Sequence, residues 1–201
     1  MAAGDTGASN TDDITSETAP LFFGTASAST LIRLYANDEL VGSATSDGSG
    51  NWSITPSDAL AADTYTFTAR TVDLAGNEGT ASDGLSVTID TTAPAAPSTP
   101  DMEAGSDTGS SDSDNNTEDT TPTFSGTGAE ANATVYLYVG GVEVGESTAD
   151  GSGNWSVTVS AGMALDAGDY SVVARTIDVA GNLSDASGAL SIHINTAPMA
   201  N

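Results

Sequence analysis

The sequence has no cysteine and no lysine. The first absence excludes disulfides and thiolate metal sites. The second excludes Lys–Asn isopeptide crosslinks, so any staple beyond ordinary packing has to be noncovalent. Basic residues are three in all, Arg33, Arg70 and Arg175, against 28 acids, which leaves a formal charge of −25. A surface of that sign repels nucleic acid and anionic membranes and attracts divalent cations. Acids of this number also serve simply to keep a secreted or salt-adapted chain soluble, so their positions matter more than their count. No stretch approaches the roughly 20 apolar residues of a membrane span, and no segment keeps helical apolar spacing over several turns. The start MAAGD lacks both a cationic end and an apolar run; it is no signal peptide and reads as a start codon placed inside a longer protein.

What the chain does contain is repetition. Asp5-Thr6-Gly7 recurs as Asp107-Thr108-Gly109, DGSGNW at 47–52 recurs at 150–155, and ART-x-D-x-AGN at 69–77 recurs at 174–182. The offsets drift from 102 to 105 residues, so the copies differ by small loop insertions, the largest between Trp155 and Leu165. A repeat of roughly 100 residues is long enough for one modest core. Two domains are therefore expected, at 1–94 and 95–201, with a linker near 91–100 that Pro94, Pro97 and Pro100 hold semi-stiff.

Short alternating runs bounded by Gly, Asp and Asn make the chain all-β. Seven strands are expected in the second copy: A near 100–104, B at 121–127, C at 133–139, D at 142–149, E at 154–159, F at 169–177 and G at 189–195. The first copy matches from B onward at 19–25, 31–36, 40–46, 51–55, 64–72 and 84–90, with strand A truncated. Alternation turns Tyr65, Phe67 and Ala69 toward the core, with Trp52, Ile54, Leu85, Val87 and Ile89. The pairs Leu60…Tyr65 and Leu165…Tyr170 have the form of a tyrosine corner, and Trp52 and Trp155 read as core anchors.

The runs SDTGSSDSDNNTEDTTPTFSGTG, VYLYVGGVEVGESTADGSGNWSVTV and YSVVARTIDVAGNLSDASGALSIHIN, together with TIDTTAPAAP, resemble the bacterial Ig-like repeats of giant RTX-type, type I-secreted biofilm adhesins. The resemblance covers essentially the whole chain. It implies two tandem immunoglobulin-like seven-stranded β-sandwiches in an extended arrangement, located outside the cell. It also implies calcium at or near domain junctions, and an extender role that holds an adhesive tip away from the bacterium.

Calcium takes six to eight oxygen ligands, so candidate sites are acids gathered in loops. At a junction between the copies, an alternating strand count brings Asp5, Asp12, Asp13 and Asp90 of the first toward Asp178, Asn182 and Asp150 of the second, with Asp101 and Glu103 from the linker side. Asp107, Asp112, Asp114 and Asn115 form the same loop of the second copy, where Asn195 replaces Asp90. Asp73 and Asn77 face the other way in the first copy. For DGSG the turn reading leads, since Asp in turns commonly binds its own backbone; for D-x-AGN, turn and metal readings stay open; for the Asp5 and Asp12 loop, calcium is favoured. Arg70 and Arg175 are expected to pair with nearby carboxylates on exposed strand faces.

No catalysis is expected from what the residues offer. His193 is the one histidine, it sits on the outward face of strand G, and the first copy has Thr88 there. Two readings remain: a calcium-stabilised spacer, joined to neighbouring repeats of the same chain and monomeric, or a module that binds carbohydrate or protein directly. Tyr136 and Tyr138, pointing opposite to Val135, Leu137 and Val139, are the aromatic pair such a binder would use.

Overall fold

The computed structural model describes residues 2–3, 5–7 and 9–195, so 196–201 of the expected second repeat lie outside the described residues. It divides into two units. Unit 1 is Met1–Thr92 with the turn Val179–Asn182, and unit 2 is Ala93–Asp178 with Leu183–Asn201.

Unit 1 is built from β1 (Ala2–Ala3), β2 (Ile14–Thr15), β3 (Leu21–Thr25), β4 (Leu31–Ala36), β5 (Glu39–Thr45), β6 (Asn51–Ile54), β7 (Asp63–Val72) and β8 (Leu85–Ile89). They form a sheet of order β1-β3-β6 and a sheet of order β2-β8-β7-β4-β5. Unit 2 repeats the pattern with β9 (Asp101–Met102), β10 (Asn116–Thr117), β11 (Thr123–Gly126), β12 (Thr134–Val139), β13 (Val142–Thr148), β14 (Trp155–Thr158), β15 (Gly168–Ile177) and β16 (Leu190–Ile194). Its sheets run β14-β11-β9 and β10-β16-β15-β12-β13. Each unit is a two-sheet Ig-like sandwich, and the expected strands B to G are all present.

Two details differ from the sequence expectation. Each unit has an eighth element, β2 or β10, that pairs in parallel with the last strand (Ile14↔Thr88, Asn116↔His193). Two residues are too few to show a period. The fourth expected strand joins the edge of the third, as β4–β5 and β12–β13 pairs with a bulge in each. The truncated strand A of the first copy is the two-residue β1: Ala2 lies opposite Phe22 as Met102 lies opposite Phe124. The extra residues after Trp155 form a 3₁₀ turn at Ala161–Met163.

The cores follow the alternation. In β12, Val135, Leu137 and Val139 are buried while Tyr136 and Tyr138 are half-exposed. Phe124 has no exposed surface, and burying a side chain of that size stabilises by about 2–3 kcal/mol. In unit 1, Phe22 and Phe67 stack with ring centroids 4.2 Å apart. Both tyrosine corners are made: Tyr65 Oη donates to Ala61 O (3.2 Å) and Tyr170 Oη to Asp166 O (3.1 Å). Both tryptophans pack on cores, Trp155 at 4% exposure. Each lies across a glycine of the neighbouring strand. A β-carbon on Gly126 would sit 2.4 Å from Trp155 Cζ2, and one on Gly24 would sit 2.6 Å from Trp52 Cζ2. The glycine therefore belongs to the anchor.

Candidate calcium loops

Between β9 and β10 the chain leaves the three-stranded sheet and enters the five-stranded one. The crossing carries the acidic loop 103–115. It opens with a tight turn in which Glu103 O accepts from Ser106 N (2.8 Å) and Asp107 N (3.0 Å). Asp107 is turned inward, at 4% exposure. Its Oδ2 accepts from Asn115 N (3.0 Å), and its Oδ1 is buried with no hydrogen-bond partner. Asn115 takes a left-handed backbone (φ 59°), which asparagine tolerates and which aims its N–H back across the loop. Asp114 Oδ1 then caps Asn116 N (3.0 Å) at the entry to β10. The loop is closed below by Thr117, fully buried, whose hydroxyl donates to Ser106 O and lies 3.0 Å from Thr108 Oγ1.

Unit 1 builds the same object from the same residue types. Asp5 Oδ2 accepts from Asp13 N (3.2 Å), Asp13 has φ 60°, and Asp12 Oδ1 accepts from Ile14 N (3.1 Å). Thr6 Oγ1 lies 2.9 Å from Thr15 Oγ1. Asp5 Oδ1 is again buried and without a partner. A buried acceptor left unpaired costs about 1–3 kcal/mol, and such groups are few in native proteins. Having one in the same place in both copies points to a shared partner for a carboxylate oxygen, and a hard cation fits that donor set.

A sequence model of bacterial Ig-like domains matches residues 1–91 and again 93–196. The chain belongs to the bacterial Ig-like domain family. Among curated proteins none matches. Among solved structures, the chain is similar to a Ca2+-stabilized adhesin with which an Antarctic bacterium binds ice. The identity is 27% over 98% of this chain and 50% of that one, with a TM-score of 0.45. It is also similar to a 1.5-MDa bacterial ice-binding adhesin (25% identity, 94% and 62% covered, TM-score 0.41). A third is a tetra-tandem repeat from the extending region of a large adhesion protein (25%, 95% and 50%, TM-score 0.33). The chain spans 50–62% of the length of these three structures.

The remaining candidate acids of these bacterial Ig-like domains are placed as follows. Asp150 Oδ1 accepts from Ser152 N (2.8 Å) and Asn154 N (2.9 Å), and its Oδ2 takes Asn154 Nδ2 (2.9 Å). Asp47 is held in the same way by Ser49 and Asn51. Asp73 accepts from Ala75 N, Asn77 N and Asn77 Nδ2. These donors hold all three carboxyls below the usual Asp range, chiefly through Asn154 for Asp150, Asn51 for Asp47 and Asn77 for Asp73. The oxygens of these turns are already engaged. Asp90 Oδ1 accepts from Thr92 N (2.9 Å), and its main-chain oxygen accepts from Asn182 Nδ2 (2.8 Å) inside unit 1. Asp178 is buried at 3% exposure. Glu103 Oε1 accepts from Ser156 Oγ (2.8 Å), while Asp101 and Asp112 are exposed. Among the described residues, no group of three or more Asp, Glu or His side chains is placed to hold a metal ion. A cation at Asp107 or Asp5 would therefore draw the rest of its shell from carbonyls, hydroxyls and water.

The basic residues divide. Arg33 reaches Glu78 at 2.6 Å, Arg70 reaches it at 3.9 Å and lies 5.5 Å above the Tyr35 ring, and Tyr35 Oη also donates to Glu78. Arg33 and Arg70 are direct cross-strand partners, so Glu78 separates two like charges. The hydroxyl of Tyr35, ahead of Arg33, holds the Glu78 carboxyl below the usual range. Arg175 departs from the expectation: it donates to Ser184 O (3.1 Å), because Leu183 stands where the first copy has Glu78. His193 faces outward with Nδ1 2.6 Å from Asp169 Oδ1, in place of the Thr64–Thr88 hydroxyl pair of unit 1.

Proposed function

We propose that the chain is a pair of spacer repeats of a large bacterial surface adhesin, located outside the cell and stiffened by calcium at the Asp5 and Asp107 loops. The carrying observation is the buried, unpartnered carboxylate oxygen that recurs in both copies. Family membership supports the adhesin reading.

The mechanical argument follows from topology. The 103–115 loop joins a strand of one sheet to a strand of the other. Its entry is fixed by the turn at Glu103 and its exit by the Asp107–Asn115 bond, and Asp107 is its inward-facing post. A cation on Asp107 ties the loop to itself and so ties the two sheets at the point where the chain enters the sandwich. It also offsets local negative charge in a chain of net charge −25. Such a repeat resists being pulled open from its N-terminal end, which is what a spacer requires.

The test is calorimetry of the full chain with calcium and with chelator, together with solution scattering. Calcium raises both melting transitions and lengthens the particle. Equal melting and equal scattering in the two conditions refute the proposal.

A further inference from the structure

The chain contains five Asn-x-Ser/Thr triplets, headed by Asn51, Asn115, Asn132, Asn154 and Asn182. In this pattern an asparagine amide can accept a sugar. The transfer needs the amide exposed and uncommitted, with the hydroxyl two residues on within reach of the enzyme. Four of the triplets are committed elsewhere. Asn51 Nδ2 donates to Asp47 Oδ2 (3.2 Å) and Asn154 Nδ2 to Asp150 Oδ2 (2.9 Å), each closing the turn that its Asp heads. Asn182 Nδ2 donates to Asp90 O (2.8 Å), and Ser184 is buried. Asn115 is followed by Thr117, which is buried with its hydroxyl donated to Ser106 O.

Asn132 differs on each count. It stands in a turn closed by Ala133 N donating to Glu130 O (3.1 Å), and its backbone is left-handed at φ 66°. Glu130, Ala131 and Asn132 are all exposed. Among the described residues, no group binds the Asn132 amide or the Thr134 hydroxyl. Thr134 is half-exposed at the first position of β12, where it pairs with Thr148 on one side and Ile177 on the other. An exposed acceptor therefore stands two residues from a hydroxyl fixed by the sheet. Unit 1 has no such site. Leu31 takes the place of Thr134, opposite Thr45 and Val72, and Ser29 (φ 54°) takes that of Asn132.

We propose that Asn132 is the acceptor of an N-linked sugar, taken from a glycosyl diphosphate donor by a transferase that grips the Thr134 hydroxyl. In the step, Nδ2 bonds to the anomeric carbon C1 of the sugar. The C1–O bond to the diphosphate breaks, and the diphosphate leaves with the electron pair. One Nδ2 proton passes to a base of the transferase. The diphosphate is carried either by a nucleoside or by a polyprenol, and the acceptor chemistry is the same for both. A sugar here displaces no hydrogen bond of the fold and buries no charge. It adds hydrated bulk beside the start of β12, on unit 2 alone.

The folded full chain is incubated with an N-glycosyltransferase of each kind, one supplied with a nucleoside diphosphate sugar and one with a polyprenyl diphosphate sugar. Intact mass and peptide mapping read the product. A single glycosylated residue, Asn132, is expected in one arm or both, and the arm that works names the donor. Asn132→Gly, which keeps the left-handed turn at no steric cost, abolishes the gain. Thr134→Ala slows it by about tenfold, the worth of one hydrogen bond lost between acceptor and enzyme. Short peptides spanning Asn51 or Asn154 accept sugar although the folded chain does not accept it there. The chain recovered from its native source carries the same modification. No gain at Asn132 in either arm overturns the proposal, as does equal gain at Asn51 or Asn154 in the folded chain. An unmodified Asn132 in the native material overturns it too.

Discussion

Replacing Asp107 by Asn separates the two roles of that side chain. Asn keeps its shape and keeps an oxygen for Asn115 N, 3.0 Å away. It removes a charge that is 4% exposed and has one oxygen unpaired. In chelator the substitution sets an amide NH2 where the unpaired oxygen was, so one buried polar group stays unsatisfied and unit 2 shifts by less than about 1 kcal/mol. In calcium it is destabilising. A ligand bound only by the folded state contributes about 2.7 kcal/mol at a concentration 100 times its dissociation constant, and Asp107→Asn forfeits that charge–cation contact. Calorimetry in matched calcium and chelator buffers reads the difference, with Asp5→Asn reporting on unit 1. A shift of one sign and equal size in both buffers refutes a cation at this oxygen, because nothing but a ligand makes the substitution buffer-dependent.

Other consequences are simpler to read. Gly126→Ala sets a β-carbon 2.4 Å from the Trp155 ring and is expected to destabilise unit 2 by about 1–3 kcal/mol, whereas Gly48→Ala, with nothing within 4 Å, costs far less; equal chemical denaturation midpoints would contradict this. Tyr170→Phe removes the bond to Asp166 O and costs about 1 kcal/mol in urea unfolding, while Ser171→Ala, on the exposed face of the same strand, does not. Glu78 has a depressed folded pKa, so its contribution is complete above the unfolded carboxylate pKa and is lost as pH falls through the lower folded value; carboxyl carbon NMR reads that midpoint, and an ordinary Glu titration would exclude the Tyr35–Arg33 contact in solution. A glycan array is expected to show no hit that depends on Tyr136 and Tyr138; a specific hit abolished by Tyr136→Ser with Tyr138→Ser would favour direct ligand binding over the spacer role.

Several features were legible because they are local. A two-residue period turns Val135, Leu137 and Val139 inward whatever the strand pairs with. DGSGN closes as the expected turn because Asp reaches N–H groups two and four residues on; D-x-AGN, whose turn and metal readings the sequence left open, closes the same way at Asp73. The tyrosine corners span four residues of chain. The glycine facing each tryptophan occurs in both copies and could have been found from the repeat.

What the tertiary structure alone decided is nonlocal. Parallel pairing of β2 and β10 depends on a strand about 75 residues away, and two residues carry no periodic signal. Which carboxylate is merely in a turn and which is buried with a spare oxygen depends on the sheet it is folded against; Asp150 and Asp107 look alike in sequence and differ in the fold. Arg175 found a carbonyl because Leu183 replaced Glu78 across a bridge. Which of the five Asn-x-Ser/Thr triplets keeps both its amide and its hydroxyl free is visible only in the fold. The repeat thus determined the fold twice over, while packing decided where the two copies diverge, since burial belongs to the whole assembly of neighbours and not to any one stretch of chain.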